Sequence, residues 1–251
     1  MQPHEYQTLY EFETFYWWYQ GIHGMLLDAL KSLELGPEAR FLDAGCGTGQ
    51  NLVNVKEHVT GDVYGFDFSR HAATFWSKRG LATVCVASIN EIPFPAETFD
   101  VVMSVDVLEC GAVDEETAYG QLWSALKPGG HLILVVPAYD WLLNPEHHDA
   151  VGAVRRYTRP RLATLLGKRP VKVLRITHLF ASVFPLVATY RVVDRWFPRR
   201  SDGPPRSDLE PLHPALNRLL FGVVNAERKL LRHWDMPFGS SIMAVVRKEV
   251  E

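Results

Sequence analysis

The chain has 251 residues, 47% of them hydrophobic and 22% charged, enough for one α/β domain with a full core or two small domains; disordered, collagen-like and disulfide-stapled classes are excluded. The formal net charge of −3 provides no global basic field to gather nucleic acid. Three scattered cysteines, Cys46, Cys85 and Cys110, form no CxxC pair, which argues against a structural zinc site and for a reducing, cytoplasmic setting.

The opening MQPHEYQTLYEFE lacks the basic-then-apolar pattern of a signal peptide, and no long apolar run marks a spanning helix. Residues 1–38 read as one or two helices, with Leu26, Leu27, Leu30 and Leu33 at helical spacing and Gly36-Pro37 ending the pattern. The aromatic run Phe15-Tyr16-Trp17-Trp18-Tyr19 reads either as a packing face or as a lid over a planar ligand.

Residues 39–137 alternate strand and helix. The patterns predict strands at 40–43, 63–67, 82–87, 99–105 and 131–136, with helices at 52–59, 70–79 and 117–126 between them. Ser69 is placed to cap the second of these helices. The alternation implies a parallel, doubly wound sheet. Beyond it, a polar loop carrying Asn144-Pro145-Glu146-His147-His148-Asp149 leads to Arg155-Arg156-Tyr157, a helix at 159–166 and strands at 171–177 and 241–247. The 60 or so residues between those strands exceed what a minimal α/β domain needs. They hold an apolar stretch from Leu179 to Phe197 and an amphipathic helix with Leu212, Leu216, Leu219, Leu220, Val223, Leu230, Leu231 and Trp234 on one face.

Chemistry starts at Asp43-Ala44-Gly45-Cys46-Gly47-Thr48-Gly49, between the first strand and the first helix of the alternating region. The spacing is GxGxG, with Gln50 where a pyrophosphate-binding GxGxxG turn has its last glycine. Asp67 ends the second strand, where a carboxylate can accept both hydroxyls of a ribose. Asp43 precedes the glycines, where it can order the loop or meet a cationic ligand head. A ligand with a ribose and a positive charge but no phosphate fits this set.

These residues, with Tyr64-Gly65-Phe66-Asp67, Phe94-Pro95-Ala96-Glu97-Thr98-Phe99-Asp100 and Leu126-Lys127-Pro128-Gly129-Gly130-His131-Leu132, resemble the class I S-adenosylmethionine-dependent methyltransferases over residues 39–137. The resemblance implies a Rossmann-like sheet of seven strands, mostly parallel, whose last strand, 241–247, is antiparallel. It implies S-adenosyl-L-methionine as cofactor, with Gly45, Cys46, Gly47 and Gly49 forming the methionine and ribose loop, Asp43 beside it, Asp67 on the ribose and Phe68 by the adenine. Ser88 and Ile89 stand where the family often has an acid for the adenine amine; Asp106 and Val107 line the methionine and transfer site. Cys110 stands where a His is frequent. Trp17-Trp18-Tyr19, His148-Asp149, Arg155-Arg156-Tyr157-Thr158 and Pro237-Phe238-Gly239 resemble a bacterial subgroup acting on small molecules, whose members often occur near sugar, lipid and natural-product pathways; Gly152-Ala153 replaces its usual Gly-His.

The resulting division is a helical lid over 1–38, in which Trp18 meets the cofactor, a methyltransferase domain over 39–177 and 239–251, and a helical insertion over 178–238. The loop after the fifth strand leaves the sheet edge where open α/β folds bind ligands. There His148, oriented by Asp149, is a candidate base, with Tyr157 as a donor to substrate, while His147, Arg155 and Arg156 are candidate acceptor contacts. The other reading is a solvated loop, with the arginines capping carbonyls and Tyr157 in the core. No ligand set for a metal is complete. The insertion admits a cap, a homodimer contact or a peripheral membrane hairpin. The expected function is methyl transfer to a small-molecule acceptor at oxygen or nitrogen, with no nucleic-acid partner; a non-catalytic S-adenosylmethionine-binding partner protein is the alternative.

Overall fold

The computed structural model describes residues 1–143, 149–196, 207 and 209–250. Successive residues of a strand point to opposite faces, and β1 (Phe41–Ala44) shows this at once: Phe41 joins one apolar layer and Leu42 the other. Strands β2 (Val63–Asp67), β3 (Val84–Val86), β4 (Phe99–Val105), β5 (Leu126–Pro137), β6 (Val171–Leu179) and β7 (Ser241–Lys248) complete one sheet in the order β3-β2-β1-β4-β5-β7-β6. β1 to β5 pair in parallel, and β7 runs antiparallel to both β5 and β6. The strand order turns back between β1 and β4, which makes a crevice at their carboxyl ends.

Helices α1 (Pro3–Phe12), α2 (Trp17–Lys31), α3 (Gln50–Lys56) and α4 (Arg70–Trp76) precede β3. Next come α5 (Glu115–Ala125), α6 (Arg159–Leu166), α7 (Phe184–Trp196) and α8 (Pro214–Leu231). Leu26, Leu52, Phe75 and Val224 bring α2, α3, α4 and α8 onto the Phe41 layer; Leu122 and Leu162 bring α5 and α6 onto the Leu42 layer. Short polar side chains stop these helices from fraying at their starts: Ser69 accepts from His71 N at 3.1 Å and Asp114 from Thr117 N at 2.8 Å.

The seven-stranded, mostly parallel sheet is the expected one, with three local differences. β5 begins at Leu126 and takes in Lys127-Pro128-Gly129-Gly130, because Leu126 pairs with Phe99 and the four residues are absorbed by a register shift. β6 runs on through His178 and Leu179, so the inserted segment begins at 180. The single apolar face expected in the insertion is split around α8: Leu220, Val224 and Leu231 turn inward, while Leu216, Leu219, Val223 and Leu230 face solvent.

Candidate functional site

The loop after β1 is shaped by its glycines. Gly45, Gly47 and Gly49 all have positive φ, and a Cβ on Gly45 would meet Val107 Cγ2 at 2.3 Å. Gly45 N and Cys46 N donate to Phe66 O, and Gly47 N donates to Asp67 Oδ2 at 2.9 Å, so the loop is tied to the end of β2. Trp76 Nε1 holds the Gly47 carbonyl from α4, and Arg79 Nε holds that of Thr48. Beneath the loop lies Asp43, fully buried, with neither carboxylate oxygen bonded within the chain. Burial, and then the neighbouring Asp67, push its pKa up to about 8. Phe68 is 71% exposed, an open ring beside this acid pair. The Ser88 hydroxyl accepts from Asn90 N at 3.2 Å, which orders the turn after β3, and Ile89 is buried in the core.

The cover over this loop is α1, which was not singled out from the sequence. The Tyr6 hydroxyl donates to Asp67 Oδ1 at 3.2 Å, Glu13 accepts from the Thr48 hydroxyl and pairs with Arg79, and Leu9 Cδ2 lies 3.4 Å from where a Cβ on Gly47 would be. Tyr10 stacks on Phe75 at 4.8 Å and lies under the Arg79 guanidinium. The expected aromatic lid sits elsewhere. Trp18 stacks on Phe180 at 5.4 Å, beyond β6, and Trp17 meets the same ring edge-on. Their neighbour Tyr19 does lie within the field of the Glu13 and Asp106 carboxylates; burial, reinforced by those charges, raises its pKa.

Along the same sheet edge, Asp106 follows β4 with φ of 51°, Tyr139 follows β5 with 58° and Phe180 follows β6 with 61°. Non-glycine residues held in this region cost about 1–3 kcal/mol each and concentrate at functional sites. Asp106 Oδ1 and Glu109 Oε2 are buried without partners. Burial raises both carboxyls, with Arg156 opposing at Asp106 and the Asp106 charge adding to the rise at Glu109.

His147 and His148 lie outside the described residues, and Asp149 lies in a short helical turn with Ala150 and Val151. The other loop residues follow the bland reading. Arg155 donates to the carbonyls of Leu108 and Val113, and Arg156 to that of Ala138. Tyr157 is fully buried, donates to Leu108 O at 3.3 Å and carries Arg161 on its ring. This corrects the placement of Tyr157 and Arg155 facing an acceptor: loop carbonyls that no strand pairs take up their donors.

A pair that sequence reasoning passed over stands at the ends of β5 and β6. His178 Nδ1 lies 3.2 Å from Met236 O, a carbonyl that can only accept, so Nδ1 carries the proton; the bare Nε2 accepts from the Tyr139 hydroxyl at 3.1 Å. The two rings stack at 5.7 Å, with Trp141 and Phe184 against Tyr139. Next to them a cavity of about 480 Å³ is bordered by Trp141, Arg191, Val192 and Trp196.

The methyltransferase domain family matches residues 42–134. The 24-methylenesterol C-methyltransferase 2 of Oryza sativa subsp. japonica is 28% identical over 138 residues, 49% of this chain and 37% of that protein. Phosphoethanolamine N-methyltransferase 3 of Arabidopsis thaliana is 30% identical over 107 residues, 41% of this chain and 22% of that protein. The chain thus spans well under two thirds of the length of these relatives. Among solved structures, geranyl diphosphate C-methyltransferase from Streptomyces coelicolor, in complex with S-adenosyl-L-homocysteine, shares the fold with a TM-score of 0.58 at 14% identity, covering 90% of this chain and 78% of that one. The residues here fit the same cofactor: an unpartnered buried carboxylate, a loop closed to side chains and an acid at the next strand end. Residues 42–134 thus match the methyltransferase domain family, within a chain whose seven-stranded, mostly parallel sheet is shared with solved methyltransferases.

Proposed function

We propose that this protein transfers the methyl group of S-adenosylmethionine to a small amphiphilic acceptor, at oxygen or nitrogen. The observation that carries the reading is Asp43, a buried carboxylate with no partner in the chain, below a glycine loop tied to Asp67. A desolvated acid of this kind is held by a proton or by a nearby cation, and S-adenosylmethionine, with its ammonium and sulfonium groups, brings the cation. When bound, S-adenosylmethionine supplies a methyl group already activated for in-line displacement. The chain's tasks are to bind it, exclude water and aim the acceptor.

Gly45, Gly47 and Gly49 would hold the methionine and ribose portion, Asp67 the ribose hydroxyls and Phe68 the adenine face. Asp67 keeps room for this on Oδ2, which takes one bond from Gly47 N; Oδ1 accepts from Ser69 N at 2.9 Å and from the Tyr6 hydroxyl, which stands where a ribose hydroxyl would compete. Helix α1 closes the loop against water. Asp106 is the proton acceptor for an O–H or N–H nucleophile, because a carboxyl raised by burial takes a proton at neutral pH more readily than an exposed one. The acceptor lies toward β5 and β6, where the aromatic cavity opens. A relative named for a sterol and a fold neighbour named for geranyl diphosphate support an amphiphile as acceptor, and a relative named for phosphoethanolamine supports a small amine.

The test is conversion of S-adenosylmethionine to S-adenosylhomocysteine in the presence of a panel of amine- and hydroxyl-bearing amphiphiles. Turnover with at least one, lost in Asp106→Asn while cofactor affinity persists, supports the reading. Tight cofactor binding with no turnover across the panel would make the protein a binding partner instead.

A further inference from the structure

We propose that the outer face of α8 docks on an anionic lipid surface. Helices on a protein surface turn polar residues outward; this one does not. Leu216, Leu219, Val223 and Leu230 line its solvent side, and Trp234 extends the line past the helix end; exposure runs from 38% at Val223 to 65% at Trp234. Spacings of three, four and seven residues keep the four aliphatic side chains on one side over about 21 Å of helix axis.

The charge pattern says what covers this stripe. Arg218 and Lys229, eleven residues and three turns apart, are exposed along one flank of it. The single acid of the helix, Glu227, is turned inward and buried, where it accepts from Ala181 N at 2.9 Å and Ser182 N at 2.7 Å. What α8 offers to the outside is therefore apolar and positive, with an indole at one end. That is the composition of a helix lying in a membrane interface: aliphatic side chains enter the headgroup layer, cations meet anionic headgroups and tryptophan sits at the boundary.

A second copy of the chain fits the same face poorly. Isologous pairing sets a surface against itself, so the Arg218 and Lys229 row would meet like charge with no acid on the outer face of α8 to relieve it. Among the described residues no helix is long and apolar enough to cross a membrane, so the helix lies along the surface. It is also fixed in place before docking. Asn217 bridges Trp17 N and Phe15 O at 2.9 Å each, Arg228 and Arg232 reach Asp28, and Val224 packs into the core. Docking thus orders little new backbone. The inference stands apart from the methyl-transfer reading and uses none of its residues.

The experiment is co-sedimentation of the full chain with large vesicles of phosphatidylcholine, with and without about one-third phosphatidylglycerol. Binding to the anionic vesicles is expected, weakened by added salt and lowered about tenfold or more in the Leu219→Glu/Leu230→Glu variant. Arg218→Ala/Lys229→Ala should lower it as well. Both pairs are exposed, and thermal unfolding confirms that each variant keeps its fold. The proposal is overturned by an absence of vesicle binding, by equal binding to neutral vesicles, or by binding that the Leu219/Leu230 variant leaves intact. It is overturned too if light scattering finds a dimer that this variant splits, since the stripe is then a contact between copies.

Discussion

Asp43 is fully buried with no partner in the chain for either carboxylate oxygen. Its folded pKa of about 8 lies above the ordinary 3.8. Between those values the folded chain holds a proton that the unfolded chain has lost, so stability falls as pH rises through that window and levels off above about 8. Urea unfolding of the ligand-free protein at a series of pH values should show this slope, and Asp43→Asn should reduce it, leaving the share of the other raised carboxyls. A variant with an unchanged slope would shift the effect to Asp67 or Glu109, whose carboxyls are also raised. Asp43 and Asp67 were legible in the sequence because each is fixed by local chain geometry, one before a glycine turn and one at a strand end. Arg155 and Tyr157 were not, because their roles depend on whether Leu108 and Val113 have other partners, and those carbonyls lie about 40 to 50 positions away.

At the scale of elements, α1 is the part whose role the sequence concealed. A run of five aromatics is conspicuous, whereas PHEYQTLYEF looks like any surface helix; yet Tyr6 reaches Asp67, Glu13 just past the helix reaches Thr48 of the glycine loop, and Trp18 of the aromatic run stacks on Phe180. The contact from Tyr6 to Asp67 joins residues 61 positions apart, beyond any periodicity argument. Removing residues 1–14 should weaken S-adenosylhomocysteine binding by about tenfold through loss of the water-excluding cover. Tyr6→Phe should bind at least as tightly as the parent, because it removes one of the two donors on Asp67 Oδ1, Ser69 N staying, while leaving the helix in place. Titration calorimetry reads both; a truncated chain with parental affinity would show that α1 only packs.

Across the whole molecule, the sheet was readable because strands buried on both faces, such as Phe99–Val105, are continuous apolar runs bounded by turns. Its outer half was less so, since β6 is half exposed and its register with β7 shifts between Val173 and Arg175. That asymmetry predicts unequal sensitivity. Ile242 is fully buried at the junction of β5, β7 and β6, so Ile242→Ala should cost about 2–5 kcal/mol. Leu174 on the exposed side of β6 should cost under about 1 kcal/mol when cut to alanine. Denaturant midpoints with a common m-value measure the difference, and equal costs would mean that the outer strand is packed as tightly as the core.

The antiparallel β7 sits between β5 and β6 in space but follows both in the chain. During synthesis the ribosome therefore releases β6 roughly 60 residues before the strand that joins it to the rest of the sheet. Through that interval the nascent chain carries an open, apolar edge on β5 with nothing beside it, the condition in which chains pair wrongly with one another and in which chaperones bind. The helical segments made in between belong to the same apolar layer as α2, where α8 places Val224 and Leu231. They can shield one face of the half-built sheet while its edge waits. A product cut short between α8 and Ser241 would keep the glycine loop, Asp43 and Asp67, yet lack the strand that closes the sheet.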